Sequence, residues 1–376
     1  MDFDKLTKYL DSFSRDLVPG IDLIVYKDHN EVYRHFSGLR DRENNVPLDG
    51  NELYWIFSCT KVFTVTAAMQ LIEQGRIKLD DPVSKYLPAY ETLCVNEDGR
   101  IKAVNTPMKI RHLFTMTGGL SYDLNTPSIQ KALLYTGGKA DTLTLVNAFA
   151  EEPLLFEPGT HYRYSLCHDV LAAVVEVVSG LRYRDYLKKY IFEPLGITRT
   201  GFHGENMAEF AQQYLYDANT HQSIVHPEGN VNVYRLSPDY DSGGAGLFSC
   251  VNDYILLSDA LACGGVGKTG KRILESATID LMRLPQMRTE TLRKDALNHT
   301  GPCYTYAFGV RTVIDTSGVR SPMGEFGWDG AANAYTLIDP KHKLSLYLAM
   351  HIRSFGYGYE HIHPTVRDMV YDALEL

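Results

Sequence analysis

The segment from Tyr54 to Met69 constrains this chain more than any other part of the sequence. An aromatic and aliphatic run leads into Ser58, Lys61 follows three residues later, and an almost uncharged helix-like segment continues until Gly75. If the helix begins at Ser58, the side chains of Ser58 and Lys61 share one face of its first turn, where Oγ and Nζ can meet. The apolar neighbours of Lys61 predict a partly buried amine with a lowered pKa, so the pair is a candidate nucleophile and base.

The same spacing occurs a second time, at Ser128 and Lys131, in a polar stretch rich in turn residues. About one Ser-x-x-Lys is expected by chance in a chain of this length, so the spacing alone does not identify a site. We interpret the second pair as solvated surface. The first pair differs in its apolar context, because a buried Lys is costly unless its amine has a partner or a task.

Composition and charge exclude several classes of function. The chain has 376 residues, 44% of them hydrophobic, and a formal net charge of -9, which is typical of a globular protein with ample core and argues against a nucleic-acid partner. No apolar run is long enough to span a membrane, and the start of the chain lacks the features of a secretory signal, so we expect no membrane partner and a cytoplasmic location. We also expect no cofactor and no metal, because the six cysteines lack metal-ligand spacing and the pair His361 and His363 is interpreted as incidental.

The order of predicted elements indicates an α+β fold. An amphipathic helix running up to Pro19 and a hairpin at Ile21 to Phe36 open the chain, and a mostly helical region follows. Strand-like runs near the other end are Ala307 to Ile314, Met323 to Trp328, Ala334 to Ile338 and Leu344 to Ile352. We therefore predict an α/β domain of residues 1–76 and 237–376, built on one antiparallel sheet flanked by helices. A mostly helical subdomain of residues 77–236 is inserted into it, with the active site between the two.

With these pieces in order, the chain resembles the serine β-lactamase and penicillin-binding-protein superfamily, in particular the class C-like branch with the family VIII carboxylesterases. Ser58-Cys59-Thr60-Lys61 looks like the first motif of that family. Other matching stretches, in the family's order, are Asp81 to Pro88, Arg111 to Leu120, Glu157 to Thr160, Tyr162 to Ser165, Pro194 to Ile197 and Gly243 to Ser249. The resemblance covers nearly the whole chain and implies the β-lactamase/DD-peptidase fold.

The resemblance also implies roles for individual residues. The second family motif, Tyr-x-Asn, reads Tyr164-Ser165-Leu166 here, so the proton-relaying Tyr carries over and the Asn does not. Gly327 to Ala331 is similar to the Trp-x-Gly variant of the third motif, which would make the N–H groups of Ser58 and Ala331 the oxyanion hole. Trp328, Asp329, Gly330 and Tyr122 are the implied substrate-binding residues, and Cys59 is expected to be a buried filler pointing away from Ser58.

Three functional hypotheses follow from these observations. The leading one is a serine hydrolase that cleaves small esters, neutral or cationic, because Trp328 replaces a Lys that would hold a substrate carboxylate and Asp329 adds negative charge. The alternatives are a D-amino-acid amidase or peptidase or a weak β-lactamase, and a catalytically silent scaffold. The expected partner is a small-molecule ester or amide; the natural substrate, the oligomeric state and the role of the loop at 353–361 stay open.

Overall fold

A computed structural model describes residues 1–204 and 206–376. Fifteen strands lie within these residues. Their bounds are β1 Gly20–Lys27, β2 Asn30–Asp41, β3 Val46–Pro47, β4 Tyr54–Trp55, β5 Cys94–Glu97, β6 Arg100–Ala103, β7 Tyr214–Asp217, β8 Gln222–Val225, β9 Phe248–Ser249, β10 Tyr304–Tyr306, β11 Arg311–Val313, β12 Phe326–Gly330, β13 Ala334–Asp339, β14 Leu344–Met350 and β15 Ile352–Arg353.

The main sheet joins the two ends of the chain. Its strand order is β10-β11-β12-β13-β14-β1-β2-β3, and each neighbouring pair is antiparallel. The N-terminal hairpin meets the C-terminal strands where β1 pairs with β14, with Ile21 opposite Met350 and Lys27 opposite Leu344. The predicted α+β class and the antiparallel sheet from both chain ends are confirmed.

The described residues contain twelve α-helices. Their bounds are α1 Asp4–Asp11, α2 Thr60–Glu73, α3 Ile110–Phe114, α4 Pro127–Tyr135, α5 Thr142–Phe149, α6 Cys167–Ser179, α7 Tyr183–Leu187, α8 Glu193–Leu195, α9 Val251–Ala262, α10 Ser276–Met282, α11 Glu290–Thr300 and α12 His363–Ala373. None of the helices in the part of the chain described here is both long and apolar enough to cross a membrane. The expected cytoplasmic location stays a prediction.

Three predicted elements differ from the structure. The run from Met323 to Trp328 forms a strand only from Phe326 onwards, and that strand continues to Gly330. The first helix ends at Asp11 rather than near Pro19, and turns follow it. The run from Ala307 to Ile314 is not one strand, because a tight turn in which the Ala307 N–H donates to the Val310 carbonyl separates β10 from β11. Gly309 in that turn has a φ of +80°, a backbone conformation that glycine adopts readily and strands do not contain.

The sheet separates two hydrophobic clusters, because successive side chains along a strand point to opposite faces. Leu23, Leu346 and Leu348 face α1 and α12 and belong to one cluster. Ile24 and Tyr347 face the opposite way and belong to the larger cluster, which also contains α2, α6 and α9. The candidate catalytic residues lie on the face of the larger cluster.

The region predicted to be the inserted subdomain holds α3 to α8, and α6 packs against α2. It also carries β5 to β8, and β7 pairs in parallel with β15 near the C-terminus. The division of the chain at residues 76 and 236 stays a prediction.

Candidate active site

Ser58 lies in a single 3₁₀ turn, Phe57–Cys59, directly before α2. The helix proper begins at Thr60, two residues later than predicted, but the face shared with Lys61 is retained. Phe57 has a φ of +44°, a strained conformation that costs a residue of its type about 1–3 kcal/mol and is found preferentially at functional sites. The turn leaves Ser58 partly exposed. Its hydroxyl is therefore accessible to a ligand.

The Lys61 amine is fully buried and contacts the Ser58 hydroxyl, with Nζ 3.2 Å from Oγ. Nζ also donates a hydrogen bond to the Gly244 carbonyl at 2.7 Å. Burial lowers the pKa of Lys61 to about 7, against a smaller opposing effect of the Asp169 carboxylate. A large part of the amine is thus uncharged near neutral pH, and an uncharged amine next to a hydroxyl can accept its proton.

Asp169, on α6, holds the segment that supplies this carbonyl. Its buried Oδ1 accepts hydrogen bonds from the Tyr240 hydroxyl and the Ser242 hydroxyl, both at 2.6 Å, and from the Gly244 N–H at 3.3 Å. A Cβ on Gly244 would lie 2.5 Å from Asp169 Oδ2 and 3.5 Å from Lys61 Nζ, so only glycine fits there. Asp169 was not among the predicted site residues; the available signal was a carboxylate in the first turn of a largely apolar helix.

The Tyr164 ring lies between two aromatic side chains. It stacks on Trp328 with ring centres 5.7 Å apart and on His299 at 5.4 Å, and its hydroxyl accepts a hydrogen bond from Trp328 Nε1–H at 3.1 Å. Lys61 Nζ lies 4.5 Å from the centre of the Tyr164 ring. Burial raises the pKa of the Tyr164 phenol well above its usual range, so the phenol stays protonated and can donate rather than abstract a proton.

Strand β12 lies against the turn that carries Ser58. A Cβ on Gly330 would be 2.3 Å from the carbonyl oxygen of Ile56, which shows how closely the two backbones approach. Ala331, the next residue, packs in a small cluster with Phe57. Gly330 and Ala331 therefore lie beside the turn that carries Ser58. An oxyanion hole made of the Ser58 and Ala331 N–H groups requires this arrangement.

A cavity of about 550 Å³ adjoins the aromatic side chains around Tyr164. Tyr122 lines it, and the Tyr122 ring centre is 5.6 Å from those of Tyr164 and Tyr234. Arg353 also lines it, donates to His226 Nε2 at 3.0 Å and lies 5.3 Å from the centre of the Phe57 ring. The loop that begins at Arg353 therefore borders the site, a possibility that the sequence had left open.

Asp329 does not join this group, and the expectation that its charge faces the substrate is wrong. Its carboxylate accepts a hydrogen bond from Arg311 at 3.2 Å and lies 3.7 Å from His363 Nδ1, on the α12 side of the sheet. The physical reason is the alternation of side chains along β12, which sends Trp328 and Asp329 to opposite faces.

The remaining predictions for single residues are partly met. Cys59 is fully buried, and its thiol points toward the Trp328 carbonyl at 3.8 Å, as a filler would. Lys131 is exposed and forms an ion pair with Glu151. Ser128, predicted to be solvated as well, is instead buried, and its hydroxyl lies 3.1 Å from Thr126 Oγ1 at the start of α4.

Three comparisons place these features among known proteins. The sequence profile of the family described as Beta-lactamase matches residues 6–360. Esterase EstB of Burkholderia gladioli is 27% identical over 89% of this chain and 86% of its own length, and a putative D-alanyl-D-alanine carboxypeptidase of Escherichia coli is 27% identical over 87% and 77%. The solved structure of EstCE1, a hydrolase with promiscuous acyltransferase activity, superposes with a TM-score of 0.79, 27% identity and 98% coverage of both chains.

Proposed function

The chain belongs to the beta-lactamase family and is a serine hydrolase, and we propose that it cleaves small neutral esters through an acyl-enzyme on Ser58. The observation that carries this proposal is the contact between the accessible Ser58 hydroxyl and the buried Lys61 amine, whose pKa is about 7. An amine with that pKa beside a hydroxyl is suited to activate it at neutral pH.

In the proposed reaction, Ser58 Oγ attacks the ester carbonyl carbon while Lys61 Nζ takes the hydroxyl proton. The Ser58 and Ala331 N–H groups stabilise the negative charge that develops on the carbonyl oxygen. Lys61 then gives this proton to the departing alkoxide, either directly or through the Tyr164 phenol, which donates its own proton to the alkoxide and takes the proton of Lys61 in return, so an alcohol leaves and the acyl group stays on Ser58. Water then attacks the acyl-enzyme by the same route in reverse, which releases a carboxylic acid and regenerates Ser58.

The preference for neutral esters rests on the walls of the site. At the strand edge, Trp328 stands in place of the Lys that would hold a substrate carboxylate, and it stacks on Tyr164. The cation of the adjoining cavity, Arg353, instead donates to His226 and lies against the Phe57 ring. Because the Asp329 carboxylate pairs with Arg311 on the other face of the sheet, the expected preference for cationic esters loses its basis. EstB and EstCE1 are described as an esterase and as a hydrolase with promiscuous acyltransferase activity, which supports ester substrates for this chain too.

Replacement of Ser58 tests the nucleophile. Ser58→Ala should lower the hydrolysis of short p-nitrophenyl esters by about a thousandfold or more, because the covalent step needs Oγ. The matched control is Ser128→Ala, at the other Ser-x-x-Lys, which should leave the rate unchanged. A fluorophosphonate should label the Ser58 peptide of the unaltered protein in mass spectrometry. Wild-type rates in Ser58→Ala would overturn the assignment and place the nucleophile elsewhere. No adduct on that peptide, together with no hydrolysis by the unaltered protein, would favour a silent scaffold.

A second candidate function is the hydrolysis of D-amino-acid amides or β-lactams, which the carboxypeptidase-like relative favours. Rates for p-nitrophenyl butyrate, D-alanyl p-nitroanilide and nitrocefin, measured on one preparation, separate the candidates. The ester should give the highest kcat/KM; faster turnover of the anilide or of nitrocefin would replace the ester proposal.

A further inference from the structure

The turn between β1 and β2 brings together three residues that are chemically suited to bind a metal ion. Asp28 and His29 form this turn, and Cys263 follows the C-terminus of α9. Each residue offers one ligand atom, a carboxylate oxygen, a ring nitrogen and a thiol sulfur, and the three atoms lie within 4.8 Å of one another. Residues 28 and 263 are too far apart in the chain for any spacing pattern to reveal this cluster.

A buried carboxylate on α9 holds two of the three residues in place. Asp259 is fully buried; its Oδ2 lies 2.7 Å from His29 Nδ1, and its Oδ1 lies 3.7 Å from Cys263 Sγ. Asp259 Oδ1 also accepts the His29 N–H at 3.2 Å, so it fixes both the ring and the backbone of His29. With Nδ1–H donated to a carboxylate, Nε2 carries the free lone pair, which is the arrangement that metal-ligating histidines usually show.

The backbone of the turn fixes where Asp28 and His29 stand. They have φ values of +49° and +66°, a conformation that two-residue hairpin turns require and that Asp and His adopt more readily than most residues. The Asp28 N–H donates to the Lys343 carbonyl at 2.8 Å, which anchors the turn to the neighbouring β13–β14 connection. The residues therefore stand in a defined position relative to α9.

Lys343 is the cation that now faces the cluster. Its Nζ lies 2.9 Å from Asp28 Oδ1, and both side chains are more than half exposed. An ion pair with that exposure contributes little to stability and is readily exchanged. It therefore does not bar a divalent ion from the Asp28 carboxylate.

We propose that Asp28, His29 and Cys263 bind a zinc-type divalent ion, with Asp259 as the carboxylate that orients His29. Thiolate, imidazole and carboxylate ligands together suit Zn²⁺ and Co²⁺ and disfavour Mg²⁺ and Ca²⁺, which prefer oxygen alone. Binding removes the thiol proton, which goes to solvent, and solvent completes the coordination. The ion would tie the β1–β2 turn to the end of α9.

Cobalt binding tests the proposal directly. The protein is freed of metal with a chelator and titrated with Co²⁺, whose thiolate complexes absorb in the near ultraviolet and whose tetrahedral complexes absorb in the visible range. One Co²⁺ per chain should produce both bands, and Zn²⁺ should displace it. Zn²⁺ should also raise the Tm of the metal-free protein, because it binds only the folded state.

Variants separate this site from chance binding elsewhere. Cys263→Ser should abolish the ultraviolet band, and His29→Gln should weaken Co²⁺ binding by at least about tenfold. The matched controls are Cys303→Ser, another half-buried free cysteine, and His221→Gln, an exposed histidine in a different turn. Retained ester hydrolysis shows that each variant is folded. A missing thiolate band in the unaltered protein, a band that survives in Cys263→Ser, or equal losses in the controls would each overturn the proposal.

Discussion

At the scale of single residues, the protonation of Lys61 should set how activity depends on pH. Burial lowers the pKa of Lys61 to about 7, and only the uncharged amine can accept the Ser58 proton. We therefore expect kcat/KM for a neutral ester to rise about tenfold per pH unit below that pKa and to level off above it. The measurement is a pH profile between about pH 5 and about pH 9, and a flat profile would exclude Lys61 as the base.

Asp169 should shift the pH at which kcat/KM levels off, although its side chain does not contact the substrate. Its carboxylate raises the pKa of Lys61, so the neutral variant Asp169→Asn should shift the inflection to lower pH. The matched control is Asp253→Asn, a second buried carboxylate, which accepts hydrogen bonds from the Thr198 N–H and its neighbours. Its profile should keep the wild-type inflection. A shift to higher pH in Asp169→Asn, or equal shifts in both variants, would contradict the assigned role.

The residues of the site were predictable to different degrees, for physical reasons. Ser58 and Lys61 are neighbours on one turn, so local spacing and apolar context were enough to pair them. Tyr164 came only from the family resemblance, because nothing local distinguishes it among 25 tyrosines. The Gly244 carbonyl that binds Lys61 was out of reach, since every residue type has a carbonyl and only the fold brings this one near. His299, which stacks on Tyr164, comes from a distant helix and carries no motif.

At the scale of elements, the close approach of β12 to the Ser58 turn should make Gly330 sensitive to the smallest substitution. In Gly330→Ala the added Cβ would meet the Ile56 carbonyl oxygen at 2.3 Å, and backbone atoms on both sides must shift. We expect a loss of about 1–3 kcal/mol in the free energy of unfolding, typical of overpacking. We also expect a fall in kcat, because the proposed Ala331 donor moves with the strand.

Gly356→Ala is the control for this experiment. A Cβ at Gly356 would come no closer than 3.8 Å to another group, the Glu360 carboxylate, so neither stability nor kcat should change. Denaturant unfolding and ester kinetics on both variants provide the comparison. If Gly330→Ala kept the wild-type kcat, β12 would not supply the oxyanion donor.

Element prediction succeeded where apolar periodicity was long and failed where a turn interrupted it. The strand from Leu344 to Met350 lies within the predicted run from Leu344 to Ile352, since its apolar pattern is continuous. The run at 307–314 is also mostly apolar, but a turn inside it depends on tertiary packing of Gly309 against Val65 and His168. The prediction that Asp329 lies in the substrate site together with Trp328 was wrong because neighbouring side chains along a strand point to opposite faces of the sheet.

At the scale of the whole molecule, the main sheet separates the side chains that support only the stability of the fold from those that also support the catalytic site. The cluster beneath α1 and α12 is built on side chains that point away from Ser58, whereas the cluster with α2 and α9 supports the site. Tyr254 on α9 is part of that support, since its hydroxyl donates to the Cys59 carbonyl at 2.9 Å. The two layers should therefore respond differently to substitution.

Leu348 tests the layer that faces away from the site. It is fully buried opposite Leu23 and Tyr335, so Leu348→Ala should cost about 2–5 kcal/mol of unfolding free energy through lost burial and a cavity. Well below its Tm, this variant should keep kcat/KM within about twofold of wild type, because no atom of the site rests on it. Tyr254→Phe should instead lower kcat/KM as well as stability, since it removes the side-chain donor to the buried Cys59 carbonyl next to Ser58. A drop of more than about tenfold in kcat/KM for folded Leu348→Ala would mean that the two layers are energetically coupled across the sheet.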